Sequence, residues 1–470
     1  MNKIDLLISC DYEFVSSNEN INNLSDTSNV FYFFRNEYNE KGDLIKSIFD
    51  VINGLENKLH FINVIVCPLK NESKKFCDNI IYILWFAKDI NNYIVCKDNI
   101  REKSIWKDVE WGKRAKNYNS KGKDPGNVWI PTIDDGNGKI TNHILLNIDQ
   151  VINRLIDFSS NKNSAIVLNF DHEIGRKDRL IFFVKTNDFS LKPYYYRFDK
   201  LMSNENENHI FSKVIFDSSE KMKQISNSSV SVMVTSPPYW DIKNYFKDGQ
   251  IGKESYEKYQ GRITSVWGET YKKLKDTGLM WINVNTIFKN KKLVPIPFDI
   301  INNSKRLGFH LKACILWHKS SAIPTTAKNL CDHFEYVFLF TKTDKLYLNL
   351  NGLINDYKNE YLGNGSFWNI NRKAGVIGKN YIHPAVFPNE LIERIIKISS
   401  NENDVILDPF LGSGTSLIAA LNSNRSFVGY EFNENFQSLI DYRIKNECKL
   451  KEITEWENST AYNNINIFRK

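Results

Sequence analysis

No stretch of this chain approaches the roughly 20 consecutive apolar residues that a membrane-spanning helix needs. The N-terminal run MNKIDLLISCDYEF carries acidic residues inside its short apolar stretch, unlike a secretory signal. Seven cysteines (Cys10, Cys67, Cys77, Cys96, Cys314, Cys331, Cys448) are scattered, with no C-x-x-C pair and no metal-ligand spacing among Cys and His. A disulfide framework and a bound metal are therefore not expected, and a reducing cytoplasm is the expected compartment. A large excess of one charge sign is lacking too. The 62 Lys and Arg against 55 Asp and Glu leave +7, a mildly basic balance that fits a nucleic-acid partner without requiring one. What is abundant is ordinary core material: 42% hydrophobic and 25% charged residues in 470 imply a packed globular chain of about two to three domains. A richness in Asn, Lys and Ile reads as coding bias, which makes chance matches between segments more frequent.

Residues 230–240 read VSVMVTSPPYW. Val230 to Val234 is a short apolar run with β-branched residues, the pattern of a buried strand. Pro237-Pro238 cannot continue a central strand, so the strand ends in a rigid extended loop with Ser236 at its tip. Ligands of open parallel sheets bind outside the carboxyl ends of strands. An amino group conjugated to a base ring is a poor nucleophile and needs acceptors that draw on its hydrogens. The Ser236 hydroxyl and the Pro237 carbonyl can accept, and the Tyr239 ring can stack on a base taken out of a duplex.

Residues 404–417 read DVILDPFLGSGTSL. Val405 to Leu407 form a buried strand, Asp408 ends it, Gly412-Ser413-Gly414 turn tightly, and Thr415 opens a helix. The glycines let backbone approach a ligand. The Asp408 carboxylate argues against phosphate and for a cationic ligand, and S-adenosylmethionine, with its ammonium and sulfonium, suits that loop. In FVGYE, Glu431 ends the next strand 23 residues after Asp408, where an acid binds ribose hydroxyls.

With these two segments the sequence resembles the DNA amino-methyltransferases, of the class whose catalytic motif precedes its cofactor motif. TSPPYW is similar to the catalytic motif and DPFLGSGT to the cofactor loop. HPAVFPNEL (383–391) is similar to the segment that completes the cofactor pocket, and GQIGKESYEKY, LMWINV, LGFHLKACILWHKS and HFEYVFLFTK to the segments between. The resemblance covers about 231–436. It implies an α/β, Rossmann-like fold with a mixed, mostly parallel sheet, S-adenosylmethionine as methyl donor and double-stranded DNA as substrate. Ser236, Pro237, Pro238 and Tyr239 would be catalytic. Asp408, Pro409, Phe410, Gly412, Ser413, Gly414, Thr415 and Glu431 would bind the donor, helped by His383, Pro384, Ala385 and Phe387. Ser at the first motif position is more usual for cytosine N4, Asp or Asn for adenine N6. Both bases stay open, as do a catalytically silent DNA-binding protein and an RNA or protein-amide acceptor. No Pro-Cys dipeptide is present to supply the thiolate of ring-carbon methylation. The implied reaction is a direct attack on the methyl group, with the proton leaving to water because Ser236 is a weak base. A restriction endonuclease would be the cellular counterpart.

Residues 1–200 lack these motifs yet echo the second half. VINRLIDFSSNKNSAIVLNF (151–170) aligns with LIERIIKISSNENDVILDPF (391–410) at an offset of 240 with nine identities in 20, and YILWFAKDINNY (82–93) with YVFLFTKTDKLY (336–347) at 254 with four in 12. GNVW (126–129) resembles GSFW (365–368), and LLISCDYEF (6–14) resembles VMVTSPPYW. The expectation is a tandem duplication: 1–200 a degenerate methyltransferase-like copy and possible DNA clamp, 210–445 the catalytic domain, 446–470 a tail with a final helix and a frayed end. Asp408 would correspond to Leu168, and the Pro-Pro pair to Cys10-Asp11. The assembly would be a monomer with an internal pseudo-dimer, or a homodimer. Basic-aromatic stretches at 101–123, with Lys113 and Arg114, and at 345–380 suit a nucleic-acid groove. SNENEN (203–208) reads as the junction, while His318, His333, Trp281 and Asn283 read as packing residues.

Overall fold

The structure is a computed structural model that describes residues 3–69, 75–102, 121–130, 132–134, 140–143, 145–171, 174–176, 178–186, 189–201, 209–242, 247–319, 328–349, 365–371, 376–377, 381–382, 388–449 and 463–468. The expectations for His383, Pro384, Ala385, Phe387, Lys113, Arg114 and the 203–208 junction lie outside these residues, as does most of the 345–380 insert.

Runs of β-branched and aromatic residues supply the strands of two large sheets. The first half contains β1 (Ile4–Ser9), β2 (Leu24–Phe34), α1 (Ile48–Leu55), β3 (His60–Pro68), β4 (Ile80–Ala87), α2 (Ile148–Ser159), β5 (Ala165–Asn169) and β6 (Leu180–Phe183). Its sheet order is β6-β5-β1-β2-β4-β3. The second half contains β7 (His209–Ile215), β8 (Val230–Thr235), α3 (Tyr256–Lys273), β9 (Leu274–Val284), α4 (Ile296–Arg306), β10 (His310–His318), β11 (Phe334–Thr341), β12 (Phe367–Asn369), α5 (Asn389–Ser399), β13 (Val405–Asp408), α6 (Thr415–Asn422), β14 (Ser426–Tyr430), α7 (Gln437–Glu447) and β15 (Asn463–Phe468). Its order is β12-β10-β11-β9-β8-β13-β14-β7-β15. Strand β8 runs parallel to β9 and β13, whereas β11 runs antiparallel to both β9 and β10. The fold is the expected mixed, mostly parallel α/β sheet.

The first sheet repeats the second strand for strand. Substituting β14, β13, β8, β9, β11 and β10 for the six strands of the first reproduces their order in the second. The details repeat as well. The β1–β2 register slips between Ile4 and Leu6, and the β8–β9 register slips at the same place, between Val230 and Val232. β3–β4 slips between Phe61 and Asn63, and β10–β11 between Leu311 and Ala313. The Arg154 guanidinium lies over the Trp129 ring at 5.1 Å, and Arg394 over Trp368 at 5.1 Å. Register slips and a cation–π contact are individual features that composition does not produce, and both halves carry them. The registers Leu6–Ile166 and Val232–Ile406 put Leu168 at the position of Asp408, as expected. They also correct one correspondence by a residue: Ser236 matches Cys10, and the prolines match Asp11 and Tyr12.

The two copies pack through contacts that come in exchanged pairs. Cys77 bridges Gly365 while Gly126 bridges Cys331. The Ser366 amide donates to the Cys77 carbonyl, and the Asn127 amide to that of Cys331, both at 2.9 Å. Cys77 and Gly126 are the counterparts of Cys331 and Gly365, so the interface has the residue-for-residue reciprocity of an isologous two-fold contact, built within one chain. Phe49 on α1 adds edge contacts to Tyr336 and Phe338, at 5.0 and 5.8 Å between ring centroids.

Two regions depart from the repeat. Beyond β14 the second sheet continues with β7 and β15, whereas β6 is an edge strand whose Leu180, Phe182 and Phe183 are exposed. The tail also differs from a frayed end: after α7, Asn463–Phe468 joins the sheet as β15, antiparallel to β7. Short polar Asn-rich segments carry a weak periodicity, which is why this strand was not evident from sequence.

Candidate active site

β8, β13 and β14 run parallel and end at one edge of the sheet, and a cavity of about 340 Å³ opens there. Each strand delivers one part of its wall. From the end of β8 come Ser236, Pro237, Pro238 and Tyr239; from the end of β13 come Asp408, Pro409, Phe410, Gly412, Ser413 and Thr415; from the end of β14 comes Glu431. The two segments singled out in the sequence, some 170 residues apart, thus face one space. Gly414 does not line it but caps α6 in a left-handed conformation, φ 81°.

The loop after β13 is fixed by its own carboxylates. Asp408 accepts from Thr235 Oγ1 at 2.6 Å, from the Phe410 amide at 3.0 Å and from the Ser416 hydroxyl. It therefore ties the end of β8 to the glycine turn, and its contacts are structural ones within the protein. Burial pushes this carboxyl up to about 6, against the hydrogen bonds that favour its charge. Glu431 accepts from the amides of Gly412 and Asn433, each at 2.7 Å, and burial, with the neighbouring Asp408 adding to it, pushes it up to about 7. A cationic ligand would favour the charged form of both.

The loop Ser236–Tyr239 is equally constrained. Tyr259 on α3 donates to the Pro238 carbonyl at 2.7 Å, which occupies that acceptor and leaves Ser236 and the Pro237 carbonyl for an amino group. Ser236 Oγ donates to the Tyr239 hydroxyl at 3.2 Å, and that hydroxyl to Glu335 Oε2 at 3.4 Å. Asn283 donates to the same Glu335 oxygen at 2.6 Å, and Lys319 to the other at 3.1 Å. Trp240 is not free to stack: its indole donates to the Glu254 carbonyl at 2.9 Å and its ring lies under Lys289.

Glu335, Lys319 and Asn283 were missed or misjudged in the sequence. Asn283 lines the cavity instead of merely packing, whereas Trp281, two residues earlier on the same face of β9, donates to Ser399 at 2.9 Å as a core residue does. The usable signal was a lone polar residue in an otherwise apolar strand, Asn283 in LMWINV and Glu335 in FEYVFLF. His318 and His333 stay packing residues: they stack at 6.1 Å, and burial pushes His333 down to about 4.

The fold and cavity define an α/β enzyme with a nucleotide-type cofactor pocket opening onto a Ser-Pro-Pro-Tyr loop. The family model described as DNA methylase, of the N6/N4 type, matches residues 230–441. Among similar proteins, the Type II methyltransferase M.BglII of Bacillus subtilis is 30% identical over 248 residues, 48% of this chain and 67% of its own. M.Cfr9I of Citrobacter freundii is 28% identical over 265 residues, 49% of this chain and 86% of its own. Among solved structures, the DNA modification methylase TTHA0409 of Thermus thermophilus matches at 26% identity and TM-score 0.39, over 50% of this chain and 95% of that one. The cytosine-N4-specific PvuII DNA methyltransferase matches at 19% and 0.42, over 49% and 86%. The chain belongs to the DNA amino-methyltransferase family, and is a methyltransferase acting on DNA. No helix among the described residues is long and apolar enough to cross a membrane.

Proposed function

We propose that the chain methylates the exocyclic N4 amino group of cytosine in duplex DNA, as the modification half of a restriction-modification pair. The observation that carries this reading is Ser236: a neutral hydroxyl, not a carboxylate or amide, heads the catalytic loop and faces the cofactor turn across one cavity. S-adenosylmethionine would be held by the turn Gly412–Thr415 and by Glu431, with His383, Pro384, Ala385 and Phe387 as further contributors, and would supply an electrophilic methyl group. The acidic, desolvated wall formed by Asp408 and Glu431 fits a cationic donor. Ser236 and the Pro237 carbonyl hold the amino hydrogens, Tyr239 forms the wall against the flipped ring, and positioning with electrostatics supplies the acceleration.

The degenerate half would form part of the DNA clamp. It already builds the ground beside the pocket: Asn127 accepts from the His333 amide at 2.9 Å and donates to Asp332 at 3.3 Å, two and three residues from Glu335. Charge reversal at Lys113 and Arg114 should weaken DNA binding at unchanged donor affinity; equal DNA affinity would remove the clamp. The main test is sequencing of DNA from cells expressing the protein, with a readout that separates N4-methylcytosine from N6-methyladenine. Ser236→Ala should abolish the mark. N6-methyladenine at the modified sites would replace this reading with adenine chemistry.

A further inference from the structure

The duplication supplies an internal control for every pocket residue. At the register positions of Asn283, Lys319 and Glu335 the degenerate copy carries Phe33, Leu69 and Ile81. Phe33 and Ile81 are buried there, and Phe33 packs on Phe170 at 4.8 Å and on Phe189 at 6.1 Å. The same strands, with the same register slips, therefore fold with apolar residues at these places. Sinking a carboxylate, an ammonium and an amide into this end of the second sheet serves no requirement of the fold, and burying such groups is costly unless they are satisfied. The ends of β1 and β5 are still tied, through a shifted partner: Ser9, the counterpart of Thr235, donates at 2.6 Å to Asn169, one residue beyond the counterpart of Asp408. A tie between these strand ends is thus present in both halves, whereas the Asn283–Lys319–Glu335 cluster is present in one.

The donors in this cluster also share a direction. Ser236 donates to Tyr239, Tyr239 to Glu335, and Glu335 is held on both oxygens by Asn283 and Lys319. We infer that Glu335 is the terminal acceptor of a proton route running from the target amino group through Ser236 and Tyr239, with Asn283 and Lys319 holding it in place. This rests on the amino-methylation reading above. Once the amino nitrogen carries a methyl group it is cationic and must lose a proton. That proton moves to Ser236 Oγ as the Ser236 proton moves to the Tyr239 oxygen and the Tyr239 proton to Glu335. One N–H and two O–H bonds break, three O–H bonds form, nothing is oxidised, and Glu335 ends neutral. The weak basicity of Ser236 is then no obstacle, because the hydroxyl relays the proton instead of keeping it. Glu335 acts through two other side chains and is a positioning residue, as are Asn283 and Lys319.

The test uses the full chain with Glu335→Gln, which keeps the side-chain volume and an acceptor for Asn283, and with Tyr239→Phe as a second variant. Two readouts are needed. In the protein alone, the ¹³Cζ tyrosine resonance of Tyr239, assigned by its loss in Tyr239→Phe, should shift in Glu335→Gln. In single-turnover methylation of duplex DNA, each variant should be slower by about 10- to 100-fold, the low end of general acid–base effects, with donor and DNA dissociation constants unchanged. The double variant should be no slower than the slower single one, because both remove one route. Full speed in Glu335→Gln, losses that multiply in the double variant, or an unmoved resonance would overturn the route. If Ser236→Ala also retains methylation, it is the underlying reading that fails; if Ser236→Ala is dead and Glu335→Gln is fast, only the route fails.

Discussion

Glu431 and Asp408 dominate the pH behaviour of the pocket. Burial raises the Glu431 carboxyl from its ordinary 4.5 to about 7. The folded protein therefore holds this proton more tightly than the unfolded chain does, and the stabilisation is complete below about pH 4.5 and lost as pH rises through 7. The difference amounts to on the order of 3 kcal/mol. Glu431→Gln should carry a pH-independent penalty for its altered amide contacts. Its unfolding free energy in urea should nonetheless gain on the parent's by up to that amount between pH 4.5 and 8. A constant difference across this range would mean that Glu431 titrates in the folded protein where it does in the unfolded chain. At this scale the sequence was legible where chemistry is consecutive: Ser236 to Tyr239, and Asp408 to Thr415, each bring their groups in one stretch of chain. Asp408 was only half legible, since its acid was evident but its attachment to Thr235, Ser416 and Phe410 was not. Glu335 showed only as a lone polar residue in an apolar run, and Lys319 was not legible. They lie at the start of one strand and just beyond the end of another, and only the antiparallel pairing of β10 and β11 brings those ends to the mouth of the parallel strands.

Among the elements, α6 shows how local rules meet the site. Its first residue follows Gly414 at φ 81°, a conformation that glycine adopts without the cost a side chain incurs. A Cβ there would sit 3.5 Å from Ile440, an ordinary contact, so the backbone term decides. Gly414→Ala should lower stability by about 1 kcal/mol, read as a lower urea midpoint at unchanged slope. An unchanged midpoint would show that the turn relaxes. Edge strand β6 offers a second case. It lacks the β7 that covers β14, and it exposes Phe182 and Phe183. Uncovered apolar edges are templates for association. Phe182→Lys should therefore reduce light scattering on concentration while moving stability by no more than about 0.5 kcal/mol. Element identities were readable from apolar runs and glycine turns; β15 was not, because Asn-rich residues 463–468 form a strand only by pairing with β7.

For the molecule as a whole, the 240 and 254 offsets pointed to a repeated strand order, while the reciprocal contacts between the two halves were not visible in sequence. Offsets differ from strand to strand because loops between them have changed length, and contacts between copies leave no trace in either copy alone. Gly126 and Gly365 occupy equivalent places at the interface: an added Cβ would come within 2.5 Å of the His333 ring and 2.2 Å of the Asn79 amide, respectively, and Asn79 is the counterpart of His333. Gly365→Ala should cost about 1–3 kcal/mol as overpacking, measured in the full chain by urea unfolding; parental stability would show that the copies separate easily. Because the reciprocal faces are satisfied within one chain, sedimentation should give a single species of 54.8 kDa, and a dimer would mean that another face associates.

The aromatic filling of the first copy, Phe33 against Phe170 and Phe189, has a kinetic consequence. Two identical subunits would modify both strands of a symmetric duplex site in one encounter. With the first half acting only as the proposed clamp, one base would be accepted per encounter, and each encounter would leave a hemimethylated duplex that must be released, turned end for end and bound again. Early in a time course such half-modified molecules should accumulate, and the rate at which they are recaptured, set by salt and by DNA length, would govern how quickly newly replicated DNA becomes protected.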